Sequence, residues 1–308
     1  MAGDKLRIIC GPTAAGKSDL AFELCEIYNA AIVSADSRQI YCEFNIGTAK
    51  PTREDCARVT HYGVDLVEPD ERFSAARWAN EAAEWIESAA EIEKDPVVVG
   101  GTGLYIKALV EPLFDAPDQD PNQRARLERE LATMSIDDLR RWCEHLDPAR
   151  AHLGRTQLLR AIETALLSGS RISDLHARDK AAKESDVDAQ KPTYLVVDPG
   201  KVLGMKIEAR VARMLGEGWA DEVRELTRTV APDAPAWKAS GYMAMRSHVE
   251  GVLDLSSATQ RVIIETRQYA KRQRTWFRNQ LPAAAVTHVN PDDPHALTIA
   301  REWWERAE

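Results

Sequence analysis

The 308-residue chain holds only five cysteines, an odd number with no Cys-x-x-Cys pair, which excludes a disulfide framework and a zinc site of the usual spacing. Cys10, Cys25, Cys42, Cys56 and Cys143 read as reduced thiols. No apolar run approaches the length of a membrane span, and Met-Ala-Gly-Asp-Lys leads at once into an apolar segment. Both points set the expectation of a soluble cytoplasmic protein. Internal repeats are absent. Basic residues are outnumbered, 40 Lys and Arg against 49 Asp and Glu, for a formal net charge of −9. That deficit counts against a nucleic-acid partner, because phosphate contacts need clustered Lys and Arg. Distribution overrides the sum in one stretch. Between Arg261 and Arg278 six basic residues (Arg261, Arg267, Lys271, Arg272, Arg274, Arg278) stand against one acid, Glu265, with Tyr269, Trp276 and Phe277 interleaved.

What is present begins at residue 11. Gly11, Pro12, Thr13, Ala14, Ala15, Gly16, Lys17 and Ser18 complete a G-x-x-x-x-G-K-[ST] loop behind the apolar run Leu6 to Cys10 and ahead of a helical pattern. In that context the glycines let backbone N–H groups converge on phosphate oxygens at a helix N-terminus. Lys17 adds a point charge, and the Ser18 hydroxyl suits Mg²⁺. Alone, the loop points to ATP and a phosphoryl-transfer enzyme.

Apolar runs at Leu6 to Cys10, Ala30 to Ser34, Pro96 to Val99 and Tyr194 to Val197 alternate with helical patterns, which predicts a parallel α/β sheet. Ser74 to Ile92 places Trp78, Ala82, Trp85, Ile86 and Ala89 at helical spacing, an amphipathic helix covering that sheet. The stretch 117–190 differs: a Pro/Asp-rich joint opens it, charged helices fill it, and a polar tract closes it, with no convincing strand. The predicted architecture is therefore an α/β core of the phosphate-loop NTPase type built from 1–116 and 191–308, with a helical insertion at 117–190 and hinges near 116 and 191. Helices are expected at Lys206 to Leu215, Ala220 to Thr229 and Ser257 to Asn279.

Two strand ends are candidates for the rest of the site. The strand before Gly100 runs into Gly-Gly-Thr-Gly-Leu-Tyr, a second donor-rich turn with no carboxylate. The strand before Ala35 runs into Asp36-Ser37-Arg38-Gln39, which puts Asp36 at the carboxyl edge where open α/β sheets bind ligands. Asp36 reads as a Mg²⁺-organising carboxylate, a general base, or a cap for the following turn.

The ordered series GPTAAGKS, ADSRQIY, IGTAKP, VGGTGLY, RAIE, the Arg210 helix, SGYMAM and YAKRQRTWFR resembles the tRNA dimethylallyltransferases over nearly the whole chain. The resemblance implies transfer of a dimethylallyl group from dimethylallyl diphosphate to N6 of adenosine 37 in the tRNA anticodon loop, with Mg²⁺. It implies Asp36 as the base, and Thr102 and Arg210 at the reacting centre and the diphosphate. It further implies Asp36, Ser37, Arg38, Gln39, Thr102, Arg124, Gln157, Arg160, Lys271 and Arg272 as tRNA contacts, the insertion as the clamp on the anticodon stem, and a monomer. The residues themselves leave other readings open. Thr102 fits a plain turn residue, Arg124 one of several solvent-facing arginines, and Arg210, within KIEARVARML, a solvated helix face. The 267–278 helix fits an amphipathic element whose aromatics are structural, with some of Lys271, Arg272 and Arg274 free to meet phosphate.

Two departures from the family pattern stand out. Where the family commonly carries Asn-Asp-x-x-Arg-x-x-Arg-Ala-Leu-Glu, this chain reads His152 to Glu163 with Gln157 in place of the first Arg and no Asn-Asp pair. Arg155 is the candidate to restore that charge. The Cys often found before the Gly-Tyr motif is Ala239 or Ser240 here. Against prenyl transfer stand a small-molecule kinase and a tRNA-binding protein with decayed catalysis.

Overall fold

The structure, a computed structural model, describes residues 6–111, 121–175, 177 and 192–306. Contacts divide the chain into two units, Leu113–Ala189 and the segments on either side of it. The hinge positions near 116 and 191 lie outside the described residues.

The larger unit is built on a six-stranded sheet in the order β3-β2-β4-β1-β5-β6, parallel at every pairing. Its inner strands β1 (Arg7–Cys10), β2 (Ala30–Ala35), β4 (Asp95–Gly100) and β5 (Thr193–Val197) are the four apolar runs. They read as continuous rather than alternating because helices cover both faces of the sheet. On one face Ile9, Leu24, Val97, Leu195 and Trp304 share a core. On the other Ile8, Val33, Trp78, Val98 and Tyr105 do. Helix α1 (Lys17–Tyr28) leaves the phosphate loop and ends at Asn29 in the left-handed conformation, φ 50°. Helix α3 (Ala75–Glu91) is capped by Ser74, and its Trp78 is fully buried with the indole N–H donating to the Ser34 carbonyl at 3.0 Å.

The two edge strands were not legible as apolar runs. Strand β3 (His61–Tyr62) is two residues long, and β6 (Val286–Val289) is mostly half-exposed with Thr287 and His288 inside it. The sheet's edge needs only one hydrogen-bonded side and partial burial, so neither periodicity nor a hydrophobic run marks it.

Between β2 and α3 lie a loop, α2 (Arg53–Arg58) and β3. After β4 comes α4 (Gly103–Val110), and after β5 the chain forms α8 (Leu203–Gly216), α9 (Trp219–Thr229), α10 (Tyr242–Val249) and α11 (Leu255–Gln280). These last helices enclose a separate core of Phe44, Trp219, Val223, Trp237, Tyr242 and Met245. Asp254 caps the 26-residue α11 by accepting the Ser257 N–H at 2.8 Å. The chain closes with α12 (Ala296–Glu305).

The smaller unit packs α5 (Pro121–Ala132), α6 (Ile136–Leu146) and α7 (Arg155–Ser168) around Leu131, Leu139, Cys143, Leu158 and Ile162, with no strand among the described residues. The Asp147 carboxylate, fully buried, accepts the Ser173 N–H at 3.1 Å and its hydroxyl at 2.6 Å. No helix of the described residues is long and apolar enough to cross a membrane.

Candidate active site

Strands β2, β4 and β1 are neighbours in the sheet, so the segments leaving their carboxyl ends meet on one rim. There a cavity of about 80 Å³ is walled by Thr13, Lys17 and Ser18 from the phosphate loop, Asp36 and Gln39 beyond β2, and Gly100 and Gly101 beyond β4. Arg210 of α8 and Tyr269 and Gln273 of α11 also line it, with Ser34, Ala49 and Val99.

The phosphate loop packs directly on the sheet. Gly11 has φ +147°, and a Cβ there would lie 2.2 Å from the Val197 carbonyl oxygen, so only glycine lets the loop leave β1 this close to β5. Ala14 follows at φ 61° and Gly16 at φ 88°, turning the chain into α1. Pro12 and Ala15 are buried. Lys17 reaches back over the loop and donates to the Pro12 carbonyl at 2.7 Å. The Thr13 N–H is held by the Gln273 carboxamide oxygen at 2.8 Å.

Beyond β2, Asp36 does what a turn residue does: its Oδ1 accepts the Arg38 N–H at 2.8 Å. The bond ties down one edge of the carboxylate while the residue still faces the cavity, so capping and a substrate-facing role coexist. Thr102 also does two things. Its N–H donates to the Ala35 carbonyl at 3.1 Å, joining the ends of β2 and β4, and its hydroxyl accepts the Ser37 N–H at 3.0 Å. Gln39 is held at both ends, accepting from the Ser34 hydroxyl at 3.0 Å and donating to the Thr48 and Ala49 carbonyls at 3.3 and 3.0 Å.

Arg210 is not on a solvated face. Helical spacing alone misjudges it because the surface that buries it comes from distant segments of the chain. It stands on the cavity wall with its Nη2 3.5 Å from the Thr48 carbonyl. Burial pulls the Lys17 pKa down to about 8, and the Arg210 charge lowers it further against the opposing pull of Asp36. Burial likewise holds Arg210 below the usual arginine range, again opposed by Asp36. Two cations and one carboxylate thus share a small desolvated space, where an added anion is electrostatically favoured.

Two side chains of α11 on the cavity wall escape sequence reasoning. Gln273 is buried, and besides accepting from Thr13 it donates to the Gly101 carbonyl at 2.8 Å. Tyr269 carries an aromatic ring to the cavity wall beside Asp36 and Thr102, and burial raises its phenol to about pKa 12. The usable signal was position: residues 269 and 273 are four apart, on one face of α11. The expectation that all three aromatics of this helix are structural therefore holds for Phe277, which is buried, and for Trp276, packed edge-to-face against it at 5.2 Å, but not for Tyr269.

The basic stretch is also partly spent. Arg261 pairs with Glu265 and Arg267 with Glu208, while Arg274 holds Asp198 (Nε to Oδ2, 2.8 Å) and the Gly200 carbonyl at 2.6 Å. Arg274 is thereby engaged within the protein. Lys271 and Arg272 stay on the exposed face, Arg272 at 5.7 Å from the Tyr269 ring centre.

In the smaller unit Arg124 donates to Glu128 at 3.2 Å and lies 3.6 Å from the nearly buried Glu163. Arg160, an exposed residue, stands near the same carboxylate, with partial desolvation and the Arg124 charge holding its pKa down. Gln157 is exposed. Arg155 does not restore the missing positive charge: its guanidinium caps the end of α5, donating to the carbonyls of Met134 (2.7 Å), Ala132 (2.9 Å) and Leu131 (3.3 Å). Of the two positions aligned with the family's Cys, Ala239 is buried, and Ser240 shares a 3.3 Å hydrogen bond with Thr266.

A parallel sheet with a glycine-rich loop at the start of α1, and a cavity where two cations and a carboxylate converge, define a phosphate-loop α/β enzyme. The family model for IPP transferase matches residues 39–280. A tRNA dimethylallyltransferase of Geobacter sulfurreducens is 40% identical over 305 residues, 97% of either chain. One from a Cyanothece species is 38% identical over 299 residues, 95% of this chain and 94% of its own. The crystal structure of the tRNA isopentenylpyrophosphate transferase from Bacillus halodurans superposes with a TM-score of 0.67 at 30% identity, over 99% of this chain and 98% of that one. A eukaryotic dimethylallyltransferase acting on tRNA shares the fold, with a TM-score of 0.76 at 22% identity over 93% and 74% of the two chains. The chain belongs to the IPP transferase family, the tRNA dimethylallyltransferases.

Proposed function

We propose that the protein transfers the dimethylallyl group of dimethylallyl diphosphate to N6 of adenosine 37 in the anticodon loop of tRNA, giving N6-isopentenyladenosine and diphosphate. The observation that carries this reading is the convergence of Lys17 and Arg210 with Asp36 in one cavity beside the phosphate loop. As the allylic C–O bond breaks, negative charge collects on the leaving diphosphate, where Lys17, Arg210 and the loop N–H groups stabilise it. The exocyclic amine is a weak nucleophile because its lone pair is delocalised into the ring. Asp36 takes its proton as the N–C bond forms. Thr102 holds the Ser37 N–H and thereby the turn that presents Asp36.

Magnesium fits the donor set: the Ser18 hydroxyl at the start of α1 and one carboxylate, Asp36, with no cluster of three or more His, Cys, Asp or Glu among the described residues. Such a sparse set suits an ion whose remaining ligands are substrate phosphates and water. Ser18 would hold it, and when bound it would supply charge neutralisation to the diphosphate.

An adenine must leave its stack to reach a cavity this small, which single-stranded loops make easier than duplex does. Ser37, Arg38 and Gln39 sit on the rim where it would enter. Lys271 and Arg272 offer exposed cations for phosphate, and Arg124, Gln157 and Arg160 in the helical unit are assigned to the anticodon stem. We place the protein in the cytoplasm, in keeping with its five free cysteines, and take it to be a monomer on the family resemblance.

The test is direct. Unmodified tRNA with adenosines at positions 36 and 37 is incubated with the protein, Mg²⁺ and labelled dimethylallyl diphosphate, and in parallel with ATP. Label entering the tRNA is the expected outcome. ATP turnover without prenyl transfer would replace this reading by a kinase, and tRNA binding without either product by a binding protein.

A further inference from the structure

Loop residues 45–49, which touch the cavity only at Ala49, are fixed by two residues outside it. Asn45 and Ile46 both donate their N–H groups to one Glu222 oxygen, Oε2, at 3.0 and 2.7 Å. The next N–H, that of Gly47, donates to the Tyr242 hydroxyl at 3.1 Å, and that hydroxyl donates to Glu222 Oε1 at 2.6 Å. Three consecutive amides are thus captured by one carboxylate and phenol. Tyr242 is fully buried, and burial together with the neighbouring carboxylate holds its phenol well above the usual range, so it keeps the proton it donates. Gly47 is clamped between rings: a Cβ there would lie 2.3 Å from the Trp219 indole nitrogen and 2.5 Å from the Tyr242 ring.

With the three N–H groups turned toward Glu222 and Tyr242, the carbonyls that follow are free for the active site. The Thr48 and Ala49 carbonyls accept from Gln39 Nε2, and the Thr48 carbonyl also faces Arg210. Both side chains stand on the cavity wall. Resting on the function proposed above, we infer that Glu222, acting with Tyr242, is a positioning residue for the reaction: through loop 45–49 it sets where Arg210 meets the diphosphate and where Gln39 faces the incoming nucleotide.

The variants are Glu222→Gln and Tyr242→Phe. The glutamine keeps the volume, but its single carbonyl oxygen accepts at most two of the three bonds and its NH₂ accepts none. The phenylalanine removes the acceptor for Gly47 and the donor to Glu222. Affinity for inorganic diphosphate, measured by calorimetry, is compared among wild type, Glu222→Gln, Arg210→Lys and the double variant, with Tyr242→Phe as the second probe. Diphosphate affinity should fall about tenfold in Glu222→Gln, and the double variant should be within about threefold of the worse single, since coupled residues lose one interaction and not two. Unchanged affinity in both Glu222→Gln and Tyr242→Phe, or losses that multiply in the double variant, would overturn the inference. A network that only supported the fold would lower the melting temperature without that non-additivity. The measurement needs no prenyl transfer, so a wild type that binds diphosphate but leaves tRNA unmodified defeats the proposed function, whereas the coupling of Glu222 to Arg210 in diphosphate binding is decided separately.

Discussion

Gln273 and Thr13 lie 260 positions apart in the sequence and are joined by a 2.8 Å hydrogen bond, the carboxamide oxygen accepting the phosphate-loop N–H. The same carboxamide donates to the Gly101 carbonyl at 2.8 Å. One side chain of the long basic helix therefore braces the two backbone turns that border the cavity. The brace occupies the Thr13 N–H, so the diphosphate is left to the remaining loop N–H groups together with Lys17 and Arg210. Replacing Gln273 by Leu leaves a buried donor and a buried acceptor unpaired, a change of about 1 to 3 kcal/mol in stability. Replacing it by Glu keeps the bond from Thr13, loses the one to Gly101 and brings a negative charge to the cavity. The Michaelis constant for dimethylallyl diphosphate should rise more in Gln273→Glu than in Gln273→Leu. Urea unfolding and steady-state kinetics check the pair, and equal rises would assign the effect to packing.

Asp36→Asn separates the chemical step from binding. Asparagine keeps an oxygen for the Arg38 N–H, so the turn at 36–38 persists. Without a base, turnover is expected to fall by about 10² to 10⁴, the range of general base catalysis. tRNA affinity should change no more than a few-fold. Single-turnover assays and a tRNA binding curve measure the two quantities. Unchanged turnover removes Asp36 as the base.

Lys17 should take up a proton when diphosphate binds. Its pKa lies at about 8 in the folded protein against 10.5 for the ordinary side chain. Below about 8 both folded and unfolded chains hold the proton and the full penalty for burying the charge is present. Between about 8 and 10.5 the unfolded chain holds more protons, so the stability of the ligand-free protein rises with pH across that window. A bound diphosphate favours the charged amine and reverses the shift. Calorimetry in two buffers of different ionisation heat should register uptake within this window in the wild type and none in Lys17→Gln. Equal uptake in the variant places the proton elsewhere.

Arg272 and Arg274 are two positions apart on α11 and should behave oppositely. Arg272 is exposed, and if it meets phosphate, Arg272→Ala weakens tRNA binding and reduces the salt slope by about 1. Arg274 is engaged with Asp198 and the Gly200 carbonyl. Arg274→Ala is expected to leave the slope intact and to lower the unfolding midpoint. Binding measured across a salt series, with thermal unfolding alongside, distinguishes them. A shallower slope in Arg274→Ala alone would exchange the two roles.

The inner strands and the phosphate loop were legible because their signals are local: a buried parallel strand is an apolar run, and the loop is contiguous. The helix ends lie close to expectation for the same reason, Ser74 and Asp254 each serving as a side-chain cap. The edge strands β3 and β6 escaped because partial burial leaves no pattern in so few residues. Arg210 was misjudged from spacing alone. An arginine within KIEARVARML is solvated unless other segments fold over it, and the loop at 45–49 and the sheet edge that do so are remote in sequence.

By itself the sequence determined the chemistry available: a backbone anion cradle at Gly11 to Ser18, a carboxylate at the end of β2, and a basic helix near the C-terminus. Tertiary structure decided which of these groups meet. It brought Arg210, Tyr269 and Gln273 to the cavity, spent Arg274 and Arg155 on structural bonds, and assigned loop 45–49 to Glu222 and Tyr242. The division follows from range. Propensity and motif act over a few residues, whereas burial and hydrogen-bond partners are set by segments a hundred or more positions apart, which the chain specifies only once it has packed.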